Sequence, residues 1–209
     1  MLIVTSVYLA VFLESASQDR SDRQAARSAL VQLLGELRQD QADFQRIIGF
    51  QNVLDRHYSN LARWLEEPST YPADSVAEAL FQVATDNPTL FARSASWNTM
   101  ISAGQLAALE APALVLQLGQ LYETIYSRID YNSSFYDQEL GATLRSTTAI
   151  RWNTLQTRPL TSDQDEIERL ASRLEMVHVT WNIWYRDLLM DYEGDVSEAI
   201  SAVEAYLGS

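Results

Sequence analysis

The feature that most constrains this chain is a proline-free stretch from Ser15 to Glu67 that carries a heptad repeat. Only Asp40 and Gln51 interrupt it, and the other positions of the repeat are occupied by Leu30, Leu33, Leu37, Phe44, Ile47, Leu54, Tyr58, Leu61 and Leu65. Apolar residues at this spacing line one face of an α-helix. The pattern therefore predicts one helix over Ser15–Glu67, about 80 Å long at 1.5 Å per residue, that packs against other helices.

Two more long helices are predicted further along the chain. Pro112 suits the first turn of a helix, where its missing N–H costs nothing, and this helix is expected to span Ala113–Thr157. A third apolar series predicts a helix over Ser162–Glu193 that ends before Gly194, followed by a short helix that ends at Leu207.

Between the first two long helices, prolines and possible capping residues indicate a compact insert of short helices. One of these is expected to begin after Ser94 or Ser96 and to stop at Gly104. No segment shows a strand pattern that competes with the helical one. The predicted fold is all-α, an antiparallel bundle of three long helices plus short helices, with residues 14–209 as a single domain.

Residues 2–13, with the sequence LIVTSVYLAVFL, form a run without charge that ends at Glu14. A bilayer span needs about 20 apolar residues, and a secretory signal needs a basic start, so neither pattern fits. We expect residues 1–13 to be the distal part of a transmembrane helix that begins upstream of Met1. The chain would then be a single-pass membrane protein with its bulk outside the cytoplasm. A buried helix start is the main alternative, and signal cleavage near Ser15 is another.

The composition excludes several chemistries. The chain has no cysteine, all 15 basic residues are arginine, and the two histidines are His57 and His178. Thiol chemistry, lysine chemistry and a three-histidine metal site are therefore absent. Glu175 and His178 have the Glu-x-x-His spacing of di-iron bundles, but His57 has Leu54 where a second such pair needs a carboxylate. We predict no metal, no cofactor and no enzymatic activity.

A net charge of −13 repels phosphate backbones, so nucleic acid is not expected as a partner. The candidate ligand-binding residues are aromatic: Trp181, Trp184 and Tyr185, with Trp152, lie where they could frame a pocket between the second and third long helices. The same spacing is typical of an ordinary wide bundle core, and core packing is the competing interpretation.

Three segments carry a resemblance to a known family. The first is the run from Leu2 to Glu14, followed by an arginine-bearing helix and by Leu30 to Asp40. The second is Trp97 to Leu106, which contains two small residues followed by Gly104, and the third is the closing short helix. Together they resemble bacterial membrane-anchored helical proteins catalogued only as a domain of unknown function. The resemblance implies a membrane anchor and supplies no catalytic residues.

Three classes of function are compatible with these features. We favour a membrane-tethered interaction or scaffold module that binds a protein partner or associates with itself. The alternative is a sensor that holds a small ligand in the aromatic pocket. An enzyme that relies on carboxylates is the third possibility, and few nucleophiles or bases support it.

Overall fold

The computed structural model of the chain describes residues 2–67, 79–83, 88–146, 152–153, 158–159 and 164–208. These residues are helical apart from short turns and one pair of two-residue strands, and the predicted all-α fold is confirmed. In this described part of the chain, no helix has a stretch long and apolar enough to cross a bilayer.

The first long helix, α1, spans Leu2–Glu66 and includes almost all of the predicted helix Ser15–Glu67. Its buried apolar side chains include eight of the repeat, Leu30, Leu33, Leu37, Phe44, Ile47, Leu54, Tyr58 and Leu61, together with Ala26, Leu34 and Trp64. Asp40 and Gln51, which interrupt the repeat, are completely buried as well. The repeat thus identifies the buried face of α1, and that face carries two polar side chains.

Short helices follow α1. Residues 79–83 are helical, α2 spans Ala95–Ser102, and α3 spans Gln105–Ala108. Gly104 lies between α2 and α3 with a φ of 67°, a conformation that residues with a Cβ rarely adopt. The predicted stop at Gly104 is confirmed, and its cause is this left-handed backbone.

The second long helix, α4, consists of Pro112–Gly119, a π-helical stretch Gln120–Tyr126 and then Ser127–Ser146, in unbroken succession. Its predicted continuation to Thr157 is wrong, because Trp152–Asn153 pairs with Arg158–Pro159 as two short antiparallel strands. Residues 147–159 include four threonines and Trp152, and both residue types favour extended backbone.

The third long helix, α5, consists of Gln164–Val177, a π-helical stretch His178–Asn182 and then Ile183–Gly208. The predicted break at Gly194 is wrong, since the helix passes through this residue without interruption. A glycine inside a helix costs only about 1 kcal/mol. Burial of the apolar side chains that follow it outweighs this cost; they are Val196, Ala199, Ile200 and Val203.

Contacts divide the chain into two compact units. Unit 1 consists of Met1–Ala42, Ala92–Tyr126 and Gly194–Ser209, and unit 2 consists of Asp43–Phe91 and Ser127–Glu193. Each long helix contributes to both units. A single domain over residues 14–209 stays a prediction.

In unit 2, α5 runs antiparallel to both α1 and α4. The hydrogen-bonded pairs that show this are Gln45 with Glu193 and Asp55 with His178 for α1, and Arg128 with Tyr192 and Ser133 with Tyr185 for α4. In each series, a later residue of α1 or α4 meets an earlier residue of α5. The core between the three helices includes Leu54, Leu61, Leu140, Leu170 and Leu174.

Candidate functional site

Four aromatic rings form a continuous row on unit 2, which we call the aromatic strip: Tyr131, Phe135, Trp181 and Trp184. Successive ring centroids lie 6.4 Å, 4.4 Å and 5.7 Å apart in that order. Tyr131 is 69% exposed and Trp184 is 49% exposed, while the two central rings are partly buried. The strip therefore has a partly buried centre and two solvent-facing ends.

Helical spacing brings these rings together. Tyr131 and Phe135 are four residues apart on α4, and Trp181 and Trp184 are three apart on α5, so each pair shares a helix face. Trp181 also lies within the π-helical stretch His178–Asn182. Such stretches are rare in helices and are frequent at functional sites.

Acidic side chains lie beside the strip. Asp130 is exposed and immediately precedes Tyr131, and Asp187 is exposed one turn beyond Trp184. The arginine closest in sequence to Trp184 is Arg186, whose guanidinium bonds to Asp187 at 3.3 Å. The Arg186 side chain is largely buried and is also 3.6 Å from a carboxylate oxygen of Asp55.

On α4, the nearest arginine is Arg128. Its guanidinium donates a hydrogen bond of 2.9 Å to the Tyr192 hydroxyl and lies over the Tyr192 ring, 5.9 Å from the centroid. The two arginines adjacent to the strip are thus already engaged by other groups. Near the strip, the two aspartates and the two arginines balance in formal charge, so the exposed aromatic rings are the main feature of this surface.

The structure distributes the predicted ligand-binding residues between surface and core. Trp181 and Trp184 belong to the strip, whereas Tyr185 is buried and stacks on Tyr136 with centroids 5.8 Å apart. Consecutive residues on an α-helix point about 100° apart, which explains why Trp184 and Tyr185 face different surroundings. Trp152 lies in the first short strand, and its side chain is outside the described residues.

The Tyr185 hydroxyl is anchored on both sides. It lies 2.8 Å from the Ser133 hydroxyl and accepts a hydrogen bond of 2.9 Å from the backbone N–H of Leu90. Burial raises the pKa of Tyr185, so this phenol stays neutral. Tyr185 therefore has the contacts of a structural core residue, and a ligand role for the four predicted aromatic residues stays a prediction.

Sequence reasoning missed Tyr131 and Phe135. The available signal was their four-residue spacing next to the buried series of α4, which includes Ile129 and Tyr136. Two aromatic residues at this spacing, adjacent to a core stripe, form the border between the core and the surface.

A chain of polar side chains begins at the turn that carries Trp181; His178 is at its centre, and Asp55 at one end is partly exposed. The Nε2 atom of His178 is 2.9 Å from a carboxylate oxygen of Asp55, and its ring stacks on Tyr58 with centroids 4.0 Å apart. The Nδ1 atom is 3.1 Å from the side-chain nitrogen of Asn182. The Asn182 oxygen in turn accepts a hydrogen bond of 3.3 Å from the Tyr136 hydroxyl.

These contacts define one tautomer of His178. An amide nitrogen can only donate, so Asn182 donates to Nδ1, and Nδ1 is unprotonated. The proton of neutral His178 is therefore on Nε2, from which it is donated to Asp55. The donor direction runs from Tyr136 to Asn182, then to His178 and finally to Asp55.

Burial is the main influence on His178 and lowers its pKa. The Asp55 carboxylate acts in the opposite direction and favours the protonated ring, while the charge of Arg186 disfavours it. The net effect is a histidine that stays neutral more readily than an exposed one does.

Sequence comparison assigns the chain to a family. The profile of a family described as a family of unknown function, DUF6090, matches residues 1–179. The chain belongs to the DUF6090 family. No curated protein and no solved structure matches it. The predicted resemblance to a family known only as a domain of unknown function is confirmed, while membrane anchoring and bacterial origin stay predictions.

In unit 1 of this DUF6090 chain, two carboxylates of α1 hold the segment that leads into α2. Asp40 accepts hydrogen bonds from the backbone N–H of Arg93 at 3.2 Å and from its guanidinium at 2.7 Å. Burial raises the pKa of Asp40, and the bonds from Arg93 together with the nearby Tyr126 hydroxyl counteract this.

The second carboxylate is that of Glu36, one turn before Asp40. It accepts hydrogen bonds from the Ser96 backbone N–H at 3.2 Å and from the Ser96 hydroxyl at 2.8 Å. Ser94, the residue before α2, makes no capping bond with its own side chain. Glu36 therefore caps α2 from another helix and places negative charge at its N-terminus.

Gln51 is the other polar residue on the buried face of α1 in the DUF6090 chain. Neither atom of its side-chain amide has a hydrogen-bond partner of normal geometry among the described residues. The Tyr58 hydroxyl, two turns further along, also lacks one there. Buried polar atoms without partners cost about 1–3 kcal/mol each, so these positions weaken the packing of unit 2.

The possible di-iron pair has a different role. His178 uses both ring nitrogens for Asp55 and Asn182, as described above, which leaves neither free to bind a metal in this arrangement. Among the described residues, no group of three or more histidine, aspartate or glutamate side chains is placed to hold a metal ion.

Proposed function

We propose that this chain is a helical interaction module that binds a basic amphipathic segment of a partner protein through the aromatic strip. The observation that carries the proposal is the unbroken contact of the four rings, with Tyr131 and Trp184 exposed at its ends. A membrane tether over residues 2–13 is a separate part of the proposal. It is supported by the uncharged sequence of that run.

Aromatic side chains suit such a surface for two physical reasons. They bury a large apolar area and have few rotatable bonds, so little conformational entropy is lost when a partner covers them. Tryptophan and tyrosine are also enriched among the residues that dominate binding energy at protein interfaces. In this chain, two rigid helices hold the rings before any partner arrives.

Charge favours a basic partner over the alternatives. Asp130, Asp187, Arg128 and Arg186 balance in formal charge near the strip, so the preference for a basic partner is supported by the net charge of −13 of the whole chain. A second copy of the chain brings its own charge of −13 and is repelled. An anionic lipid surface is repelled for the same reason.

The test is isothermal titration calorimetry of the full chain with a synthetic helical peptide that carries leucine on one face and arginine on the other. A second peptide has glutamate in place of each arginine. We expect the basic peptide to bind and the acidic one not to bind. Trp184→Ala should weaken binding of the basic peptide by about tenfold, because interface tryptophans commonly contribute that much.

The matched control is Phe91→Ala, since Phe91 is an exposed aromatic residue of unit 2 outside the strip. This variant should bind like the unmodified chain. The proposal is wrong if both alanine variants weaken binding equally, or if the acidic peptide binds as well as the basic one. Self-association through the strip in sedimentation, or binding of the strip to anionic vesicles instead of the peptide, would also overturn it.

A further inference from the structure

The π-helical stretch that presents Trp181 has a hydrogen-bonded side chain at each end. His178 is its first residue and Asn182 its last, and the two side chains bond to each other at 3.1 Å. Both side chains are buried, whereas Trp181 is partly exposed. One buried contact therefore spans the turn from which a central ring of the strip projects.

This contact is compatible with only one protonation state of His178. A protonated imidazole donates from both nitrogens, so its Nδ1–H would face the N–H group of Asn182. Two donors at 3.1 Å repel each other, and a buried donor without an acceptor is costly. The Asn182 amide must then rotate to present its oxygen to the ring.

Rotation of Asn182 has a consequence on α4. The amide nitrogen then faces the Tyr136 hydroxyl, which now donates to Asn182 and would have to accept instead. A single proton on His178 thus reverses two hydrogen bonds: one within the turn of Trp181, and one that joins this turn to the helix that carries Tyr131 and Phe135.

We propose that the hydrogen bond between His178 and Asn182 is a proton-controlled contact that fixes the turn of Trp181, and we call it the latch. We propose further that protonation of His178 rearranges the aromatic strip. Reversal of the two hydrogen bonds follows from their donors and acceptors, and movement of the strip is the consequence that we propose. Its effect on partner binding rests on the function proposed above.

The groups around His178 come from all three helices. From α1, Asp55 bonds to Nε2 and Tyr58 stacks on the ring. From α5 itself, Arg186 opposes protonation, and from α4, Tyr136 acts through Asn182. The Asp55 carboxylate remains an acceptor in both protonation states, so it stabilises the charged ring without itself having to move.

The test is nuclear magnetic resonance of the full chain between about pH 8 and about pH 5, the range in which histidine titrates. The ring-proton signals of His178 are assigned by comparison with the His57→Asn variant, which lacks the signals of the other histidine. The indole N–H signal of Trp181 is assigned as the one that Trp181→Phe removes. We expect the Trp181 signal to shift with the same midpoint as the ring protons of His178. The Trp97 signal, from unit 1, should not follow that midpoint.

His57→Asn is the matched control and should retain the shift of Trp181, whereas His178→Asn should abolish it. A Trp181 signal that does not follow His178 in the unmodified chain overturns the latch, and this measurement needs no His178 variant to fold. Persistence of the shift in a folded His178→Asn chain overturns it as well.

The latch and the proposed function fail in different ways. If the basic peptide does not bind but Trp181 follows His178, the proposed function is wrong and the latch stands. If the peptide binds with an affinity that does not change across the His178 midpoint, and Trp181 does not shift, the latch is wrong and the interaction surface stands. The peptide carries arginine, which does not titrate in this range, so a change in affinity reports on the protein.

Discussion

Asp40 and Arg93 are joined by two different donors, since the backbone N–H and the guanidinium of Arg93 both bond to the Asp40 carboxylate. Asp40 is completely buried, and the Arg93 side chain is partly exposed. The two residues are 53 positions apart in the sequence, and their bonds attach the segment before α2 to α1. A buried carboxylate that interrupts an apolar repeat is explained by this single partner.

Arg93→Ala should destabilise the protein because it removes the guanidinium charge and leaves the buried Asp40 carboxylate with only the backbone N–H of residue 93 and the nearby Tyr126 hydroxyl. We expect a loss of about 2–3 kcal/mol in the free energy of unfolding, measured by urea denaturation. The matched control is Arg38→Ala, which removes the exposed ion pair between Arg38 and Glu204 at 2.7 Å. That pair should contribute less than about 1 kcal/mol. Equal losses in the two variants would contradict the role assigned to Asp40.

The heptad repeat predicts α1 and its buried face, because periodicity depends only on local spacing. It does not reveal that Asp40 is matched by Arg93 while Gln51 has no comparable partner, since those contacts depend on residues far away in sequence. The same limit applies at Gly194. Local propensity favours a break there, and burial of the residues that follow keeps the helix intact.

The candidate site was predictable in part. The aromatic pattern of α5 predicts Trp181, Trp184 and Tyr185 as one group, and Trp181 and Trp184 are both in the strip. Tyr185 lies in the core instead, because adjacent helical residues point in different directions. The partners of His178 come from α1 and from the next turn of α5. Only the packing of α1 against α5 in unit 2 brings Asp55 to His178.

Stability should depend on pH through His178. Its pKa in the folded protein is below the ordinary value of 6.5, so the unfolded chain takes up a proton first as the pH falls. Stability is therefore unaffected by this group well above about pH 6.5 and decreases as the pH falls below it. Denaturation at a series of pH values should show this decrease.

Asp55→Asn should strengthen that effect, because the Asp55 carboxylate is the group that raises the pKa of His178. The titration midpoint of the His178 ring, followed by nuclear magnetic resonance, should fall in this variant. Asp187→Asn is the matched control, since Asp187 bonds to Arg186 and not to His178. An unchanged midpoint in Asp55→Asn would show that the contact at 2.9 Å does not control the ring.

Glu36→Ala should destabilise α2, because Glu36 supplies the acceptor for the Ser96 backbone N–H. Loss of a helix cap costs about 1 kcal/mol, and loss of the second bond, from the Ser96 hydroxyl, adds to this. Ser94→Ala is the control, since the Ser94 side chain does not cap α2 and should change the free energy of unfolding less. The reverse order of effects would assign the cap to Ser94.

The membrane tether is tested by flotation of the full chain with zwitterionic vesicles. Ile3→Asp combined with Val7→Asp should abolish flotation, because these residues are far from the Glu14 end of the run and each aspartate costs about 3 kcal/mol near the centre of a membrane helix. Val31→Asp combined with Leu116→Asp is the control, since both residues are exposed. The tether is refuted if the unmodified chain does not float or if the first double variant floats equally well.

Gln51→Leu tests whether the buried side-chain amide on α1 lowers or raises the free energy of unfolding. Leucine has a similar volume and fits the apolar repeat, and neither amide atom has a partner among the described residues. Replacement should therefore raise the free energy of unfolding by about 1–2 kcal/mol, because a desolvation cost is removed and only a weak interaction with the Tyr136 hydroxyl is lost. Gln41→Leu is the matched control, since Gln41 donates a hydrogen bond of 2.8 Å to Ser197 and should not gain stability. If Gln51→Leu instead lowers stability, then the Gln51 amide is satisfied in solution, and an ordered water bound at this point of the core is the physical explanation to pursue.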